Sequence, residues 1–75
     1  MNIELSDEVQ KLLCNRFNKL YPVGAPVLLV KDSGMIVRTT IQGPAVPRPY
    51  YPEILLRNHG ICELYRVIPA KQTTL

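Results

Sequence analysis

A corner-forming segment at residues 21–26 separates two different hydrophobic patterns in this chain. Before it, apolar side chains recur at helical spacing, and after it they alternate or run continuously as in strands. Pro22 has no backbone N–H and forces the preceding residue out of the helical conformation, while Gly24 tolerates the backbone angles of a sharp turn and Pro26 stiffens the exit. The chain is therefore expected to fold as one helix followed by a sheet.

The helix is predicted over residues 6–20. Ser6 is a favourable N-cap, and the acidic residues Asp7 and Glu8 complement the helix dipole in the first turn. An apolar stripe at helical spacing follows, formed by Val9, Leu12, Leu13, Phe17 and Leu20. Packing of this stripe against the sheet is the favoured interpretation, and service as a surface for a partner is the alternative.

An antiparallel meander is predicted over residues 27–68. Strands are expected at 27–31 and 35–42, joined by the turn residues Asp32, Ser33 and Gly34, and again at 53–57 and 61–68. Residues 43–52 contain four prolines and are expected to form a stiff loop, while residues 69–75 are expected to form a frayed tail. The whole chain, 1–75, is thus a single domain of mainly β class with one N-terminal α-helix. Its sheet is either a small SH3-like barrel or a strongly twisted four- to five-stranded antiparallel sheet.

The sequence also predicts where in the cell the protein is located. No apolar run approaches the roughly 18 residues of a membrane span, and the N-terminus does not have the basic and apolar regions of a secretory signal, so a cytoplasmic protein with no membrane partner is expected. Cys14 and Cys62 are interpreted as small buried hydrophobic residues, since disulfides are uncommon in a reducing compartment.

Part of the sequence resembles a known group of proteins. The matching residues are Phe17-Asn18, the run Tyr21-Pro22-Val23-Gly24-Ala25-Pro26-Val27, a strand with Thr39-Thr40, the triplet Gly43-Pro44-Ala45, and Gly60 with Leu64, Val67 and Pro69. They resemble short uncharacterised proteins of phages, plasmids and bacterial genomic islands, which typically read Phe-Asn-x-x-Tyr-Pro-Val-Gly-Thr-Pro-Val. Here Ala25 replaces the usual Thr, and Gly43 replaces a Ser. The resemblance implies a small β-barrel and a mobile-element setting, and it brings no known activity.

Groups suited to catalysis are sparse in this chain. There is one histidine, His59, and it lies three residues before Cys62 across a predicted turn, but Cys62 falls on a strand that is expected to be buried. No pair of cysteines has zinc-site spacing, so no metal or cofactor is expected. The sequence therefore favours a protein without enzymatic activity, and a small oligomeric enzyme is the third-ranked interpretation.

A binding module is the favoured functional hypothesis. The net charge is +3, and the basic residues are scattered, so a surface for nucleic acid would have to assemble in three dimensions. DNA or RNA is the first predicted partner, contacted through a basic and aromatic face consisting of Arg38, Arg48, Tyr50, Tyr51, Arg57 and Arg66. The alternative is a protein-interaction or self-assembly module that uses the proline-rich loop or an open sheet edge, which would include a homodimer.

Overall fold

A computed structural model describes residues 6–70 of the chain. The helix α1 (Asp7–Leu20) is followed by five strands and by a 3-10 turn, Leu64–Arg66, that precedes the last strand. The strands are β1 (Pro26–Val30), β2 (Ile36–Val46), β3 (Glu53–Leu56), β4 (Gly60–Glu63) and β5 (Val67–Pro69). The predicted class, mainly β with one N-terminal helix, is confirmed. Residues 71–75 of the predicted tail lie outside the described residues.

The five strands form one antiparallel sheet with the order β4-β3-β2-β1-β5. The long strand β2 serves two partners: residues 36–40 pair with β1, and residues 41–46 pair with β3. Two register shifts interrupt the β2–β3 pairing, which bends the strand where it changes partner. Within the described part of the chain, no pairing joins the edge strands β4 and β5, so the sheet is twisted and barrel-like but not closed.

The corner between α1 and β1 is fastened to the middle of β2. The N–H of Gly24, whose φ is +95°, donates to the carbonyl oxygen of Ile41 at 2.7 Å. The N–H of Ile41 in turn donates to the carbonyl oxygen of Ala25 at 3.0 Å. Ile41 lies where β2 passes from β1 to β3. These two bonds to Ile41 therefore fix the orientation of α1 relative to the sheet.

The predicted proline-rich loop at 43–52 begins later than expected. Strand β2 continues through Pro44 and Ala45 to Val46, so the loop starts at Pro47. Pro44 is tolerated because it is exposed and lies within the second register shift, between Gly43 and Val46, where a ladder hydrogen bond from its nitrogen is not required. The prediction that a loop occupies residues 43–46 is wrong for this reason.

The predicted closing strand at 61–68 is also interrupted. The chain leaves β4 after Glu63, makes the 3-10 turn, and pairs as β5 with β1 at the opposite edge of the sheet. At the crossing point the N–H of Leu64 donates to the carbonyl oxygen of Pro52 at 2.9 Å. Pro69 was predicted to begin the frayed tail, but it pairs opposite Val27 as the last residue of β5.

The core lies between the inner face of the sheet and α1. Its buried apolar side chains are Cys14, Val27, Leu29, Ile41, Ala45, Ile54, Leu56 and Val67. The helix contributes Cys14 alone to this set. The prediction that the apolar stripe of α1 packs on the sheet is therefore wrong for Val9, Leu12, Leu13 and Leu20, all of which are exposed.

Within residues 6–70, no helix has the length and apolar character that crossing a bilayer requires.

Candidate functional site

Side-chain amides hold α1 against the sheet. The Nδ2 group of Asn18 donates to the carbonyl oxygen of Ala45 at 2.9 Å, and the N–H of Ala45 donates to Oδ1 of Asn18 at 2.8 Å. This pair of bonds reproduces what a neighbouring strand would offer to Ala45, which lies within the second register shift of β2, between Gly43 and Val46. One turn before the middle of the helix, Oε1 of Gln10 accepts from the N–H of Arg48 at 2.9 Å. These three bonds form what we call the amide clamp.

The amide clamp determines which face of α1 points inward. Gln10, Cys14 and Asn18 follow one another at intervals of four residues and therefore lie along one side of the helix. Gln10 is fully buried, and Cys14 is 2% exposed. The polar and small side of the helix thus faces the sheet, because its amides satisfy backbone groups there.

The apolar side of α1 is left facing outward as a consequence. Its large side chains keep substantial exposed fractions: 44% for Val9, 58% for Leu12, 42% for Leu13 and 67% for Leu20. At about 100° per residue, Val9, Leu13 and Leu20 lie within about 40° of one another around the helix axis. We call these four residues the α1 stripe.

An apolar groove of about 330 Å³ runs beside the α1 stripe. Its walls come from α1 and the corner on one side, and from the β2–β3 loop and the 3-10 turn on the other. The lining residues are Leu13, Phe17, Leu20, Tyr21, Tyr51, Pro52, Leu64 and Tyr65.

Aromatic contacts stiffen both walls of the groove. The ring centroids of Phe17 and Tyr21 are 5.0 Å apart, and Tyr51 and Tyr65 make an edge-to-face pair at 5.3 Å. We call the groove and the α1 stripe together the α1 face.

Two of the predicted basic residues are held in ion pairs. Nε of Arg48 is 3.2 Å from Oε1 of Glu53. The guanidinium of Arg66 contacts Asp32, lies 3.5 Å from Glu63 and stands 5.6 Å from the centroid of the Tyr65 ring. Part of the positive charge that the sequence offers for an anionic partner is therefore directed at neighbouring carboxylates.

The other predicted binding residues come from two parts of the molecule. Arg38 lies on β2 in register with Leu28, whereas Arg57 lies in the β3–β4 turn, where its carbonyl oxygen accepts from the hydroxyl of Thr39 at 2.8 Å. Tyr50 is exposed in the β2–β3 loop. Of the six predicted residues, Tyr51 lines the apolar groove. The structure thus brings Tyr51 to the α1 face and holds Arg57 against the segment of β2 that follows Arg38.

The Cys62 thiol has surroundings that disfavour a nucleophile. Its Sγ lies 3.9 Å from the carbonyl oxygen of His59 and 3.8 Å from that of Gly60. Burial raises the pKa of the thiol, the Glu63 carboxylate adds to the rise, and Arg66 opposes it. A reactive cysteine requires the opposite shift, because the thiolate is the attacking form.

Both cysteines are free thiols. Within residues 6–70, no group of three or more His, Cys, Asp or Glu side chains is arranged to hold a metal ion.

Comparison with known proteins gave no matching family model, no matching curated protein and no matching solved structure. The resemblance to short mobile-element proteins therefore stays a prediction.

Sequence reasoning identified the members of the α1 stripe but assigned them to the core. The signal that would have corrected this is the line of Gln10, Cys14 and Asn18, whose side chains are suited to an inward face that carries hydrogen bonds. Tyr65 was not identified as a groove residue, because residues 61–68 were predicted as one continuous strand, in which residues 64 and 65 would point to opposite faces. In the 3-10 turn both Leu64 and Tyr65 line the groove.

Proposed function

We propose that the chain is a protein-interaction module that binds an apolar surface of a partner protein through the α1 face. The observation that carries this proposal is the orientation of α1, with polar Gln10 and Asn18 turned to the sheet and four large apolar side chains turned to solvent. Single exposed apolar residues are common on protein surfaces, but several on one side of a helix, beside an apolar groove, are typical of an interaction site.

The energetics of the α1 stripe support the same function. Burying a leucine or valine side chain fully contributes about 1.5–3 kcal/mol. Because roughly half of each side chain in the α1 stripe is still exposed, a partner that covers it would gain roughly half of this free energy at each position. The amide clamp keeps the helix from rolling over to bury the stripe within the monomer. The aromatic pairs of the groove are already in contact, so little side-chain entropy would be lost when a partner binds.

Binding to nucleic acid is supported less well by the geometry. Arg48 and Arg66 face carboxylates, and contacts to a phosphate backbone would have to displace these ion pairs. Nucleic acid is therefore the second hypothesis for the partner. In the mobile-element setting that the resemblance implies, a non-enzymatic module of this kind would act by attaching to another protein.

Selection from a random peptide library against the immobilised protein tests the proposal. We expect enriched peptides to carry leucine and aromatic residues, and their amide chemical-shift perturbations to map to α1 and the 3-10 turn. Leu20→Glu should weaken their binding by at least about tenfold, because a buried leucine is worth more than 1.4 kcal/mol. Lys11→Glu changes an exposed residue on the opposite side of the helix and should alter affinity by less than about twofold.

Two results would contradict the proposal. One is a library that yields no binder, and the other is a set of binders whose perturbations map to the outer face of the sheet and whose affinity is unchanged by Leu20→Glu. Circular dichroism of both variants provides the control for folding, since both positions are exposed.

A further inference from the structure

The outward side of α1 carries the spacing of a helix-pairing seam. Val9, Leu13, Arg16 and Leu20 are separated by four, three and four residues, which is the alternation of the two core positions in a heptad repeat. All four positions are exposed. The seam is about 16 Å long at 1.5 Å per residue, which covers three turns of the helix.

Charges beside the seam define a direction for pairing. Glu8 and Lys19 lie about 20° apart around the helix axis, so they flank the same edge of the seam, but they are at opposite ends of α1. When two such helices pack antiparallel, Glu8 of each copy lies next to Lys19 of the other, and the arrangement repeats on both sides of the twofold axis. In a parallel pair the edge that carries Glu8 and Lys19 would face the opposite edge of the second helix, so the two charges would not meet and this attraction would be lost.

The register of an antiparallel pair follows from the same spacing. In antiparallel packing the two core positions face each other, so Val9 meets Leu20 of the second copy and Leu13 meets Arg16. The contact between Val9 and Leu20 joins two apolar side chains. At the centre, the aliphatic part of Arg16 covers Leu13 while its guanidinium reaches solvent.

We infer that the partner of the α1 face is a second copy of this chain, bound as an antiparallel helix pair across a twofold axis. This inference rests on the proposed function and names its partner. The size of the chain supports it: a domain of 75 residues has a small core, and chains of this size commonly gain stability by association. The groove residues Tyr51 and Tyr65 flank the pair and extend the contact beyond the two helices.

A charge-reversal cycle tests the antiparallel arrangement. Sedimentation equilibrium and light scattering from about 1 to 500 μM should show a dimer that dissociates on dilution. Glu8→Lys and Lys19→Glu alone should each weaken dimerisation by about five- to tenfold, since two symmetric attractions become repulsions. The double variant should return to within about twofold of the wild type. In the double variant the unfavourable effects of both reversals on the helix dipole add up and do not cancel. Recovery of dimerisation in this variant therefore indicates contacts between the two chains.

Substitutions in the seam give an independent measure. Leu20→Glu should weaken the dimer by more than about thirtyfold, and Arg16→Leu should tighten it by at least about tenfold, because it completes an apolar seam. Lys11→Glu is the matched surface control. A peptide obtained by selection against the α1 face should dissociate the dimer.

The outcomes separate this inference from the proposed function. A chain that stays monomeric over the whole concentration range, or a dimer in which the double charge reversal is no better than the single ones, overturns the antiparallel pair. If peptide binding is still lost in Leu20→Glu, the α1 face remains a site for a different protein. If both the dimer and the peptide binding are absent, the proposed function falls as well.

Discussion

The amide clamp predicts a large loss of stability for Asn18→Ala. The substitution removes two hydrogen bonds to Ala45, each with a net contribution of about 0.5–1.5 kcal/mol. It also leaves the N–H and C=O groups of Ala45 unpaired in a residue that is 3% exposed, where water compensates poorly. We expect the free energy of unfolding to fall by about 2–4 kcal/mol. A domain of this size has a total of about 4–11 kcal/mol, so the loss is a substantial share.

Asn15→Ala is the matched control because Asn15 lies on the exposed side of the same helix. Both substitutions gain the same helix propensity, about 0.5 kcal/mol, so the difference between them isolates the clamp. Asn18→Asp should be at least as damaging as Asn18→Ala, since it keeps the acceptor for the Ala45 N–H but turns a carboxylate oxygen toward the Ala45 carbonyl oxygen.

Urea unfolding followed by far-UV circular dichroism measures these differences. Two protein concentrations are needed, because association through the α1 face would stabilise the native state in a concentration-dependent way. An Asn18→Ala loss within about 0.5 kcal/mol of the Asn15→Ala value would refute the reasoning, because it would mean that the helix orientation does not depend on these bonds.

Three further predictions concern the thiols and the β2–β3 loop. Burial raises the pKa of both Cys14 and Cys62, so the unfolded chain loses these thiol protons first as the pH rises. The free energy of unfolding should therefore be unaffected below the pKa of the unfolded thiols and should fall above it. Cys14→Ala should reduce that fall. In the folded protein, Ellman's reagent should label Cys62 before the buried Cys14. In a Cys62→Ser variant, the labelling rate of Cys14 should not exceed the unfolding rate, and faster labelling would contradict the burial of Cys14. If the loop binds nucleic acid, Arg48→Ala and Tyr50→Ala should each weaken binding to single-stranded DNA or RNA at low salt, and binding that is insensitive to both salt and these substitutions would count against that hypothesis.

Local signals in the sequence were sufficient to locate the helix and the first hairpin. Ser6 caps α1 through its hydroxyl, which accepts from the N–H of Val9 at 3.3 Å, and the helix ends at Leu20, ahead of Pro22. The turn after β1 contains Gly34 with a φ of +88°, as its turn chemistry predicted. These features depend on residues close together in the chain, so a single sequence is enough to read them.

The errors arose where partners are distant in sequence. Pro44 was assigned to a loop because residues 43–52 contain four prolines. The strand continues through it, and the next residue, Ala45, is paired by the side chain of Asn18, 27 residues away. The last strand was predicted as continuous because nothing in residues 61–68 signals that Leu64 bonds to Pro52. For the candidate site, the α1 stripe was recognised as one side of the helix but was assigned to the core, and of the six predicted binding residues Tyr51 lines the groove.

The orientation of α1 shows why hydrophobic periodicity alone could not assign its role. A stripe of this kind turned inward would bury more apolar area than Gln10, Cys14 and Asn18 do, so transfer free energy by itself favours the opposite orientation. The amides prevail because the bend in β2 leaves the backbone of Ala45 without a strand partner, and unpaired buried groups cost about 1–3 kcal/mol each. The same bend that interrupts the β2–β3 pairing therefore creates the need for the clamp, and the clamp exposes the α1 stripe. Loss of the clamp would remove the binding face together with the stability, because a helix released from Ala45 is free to turn its leucines toward the core.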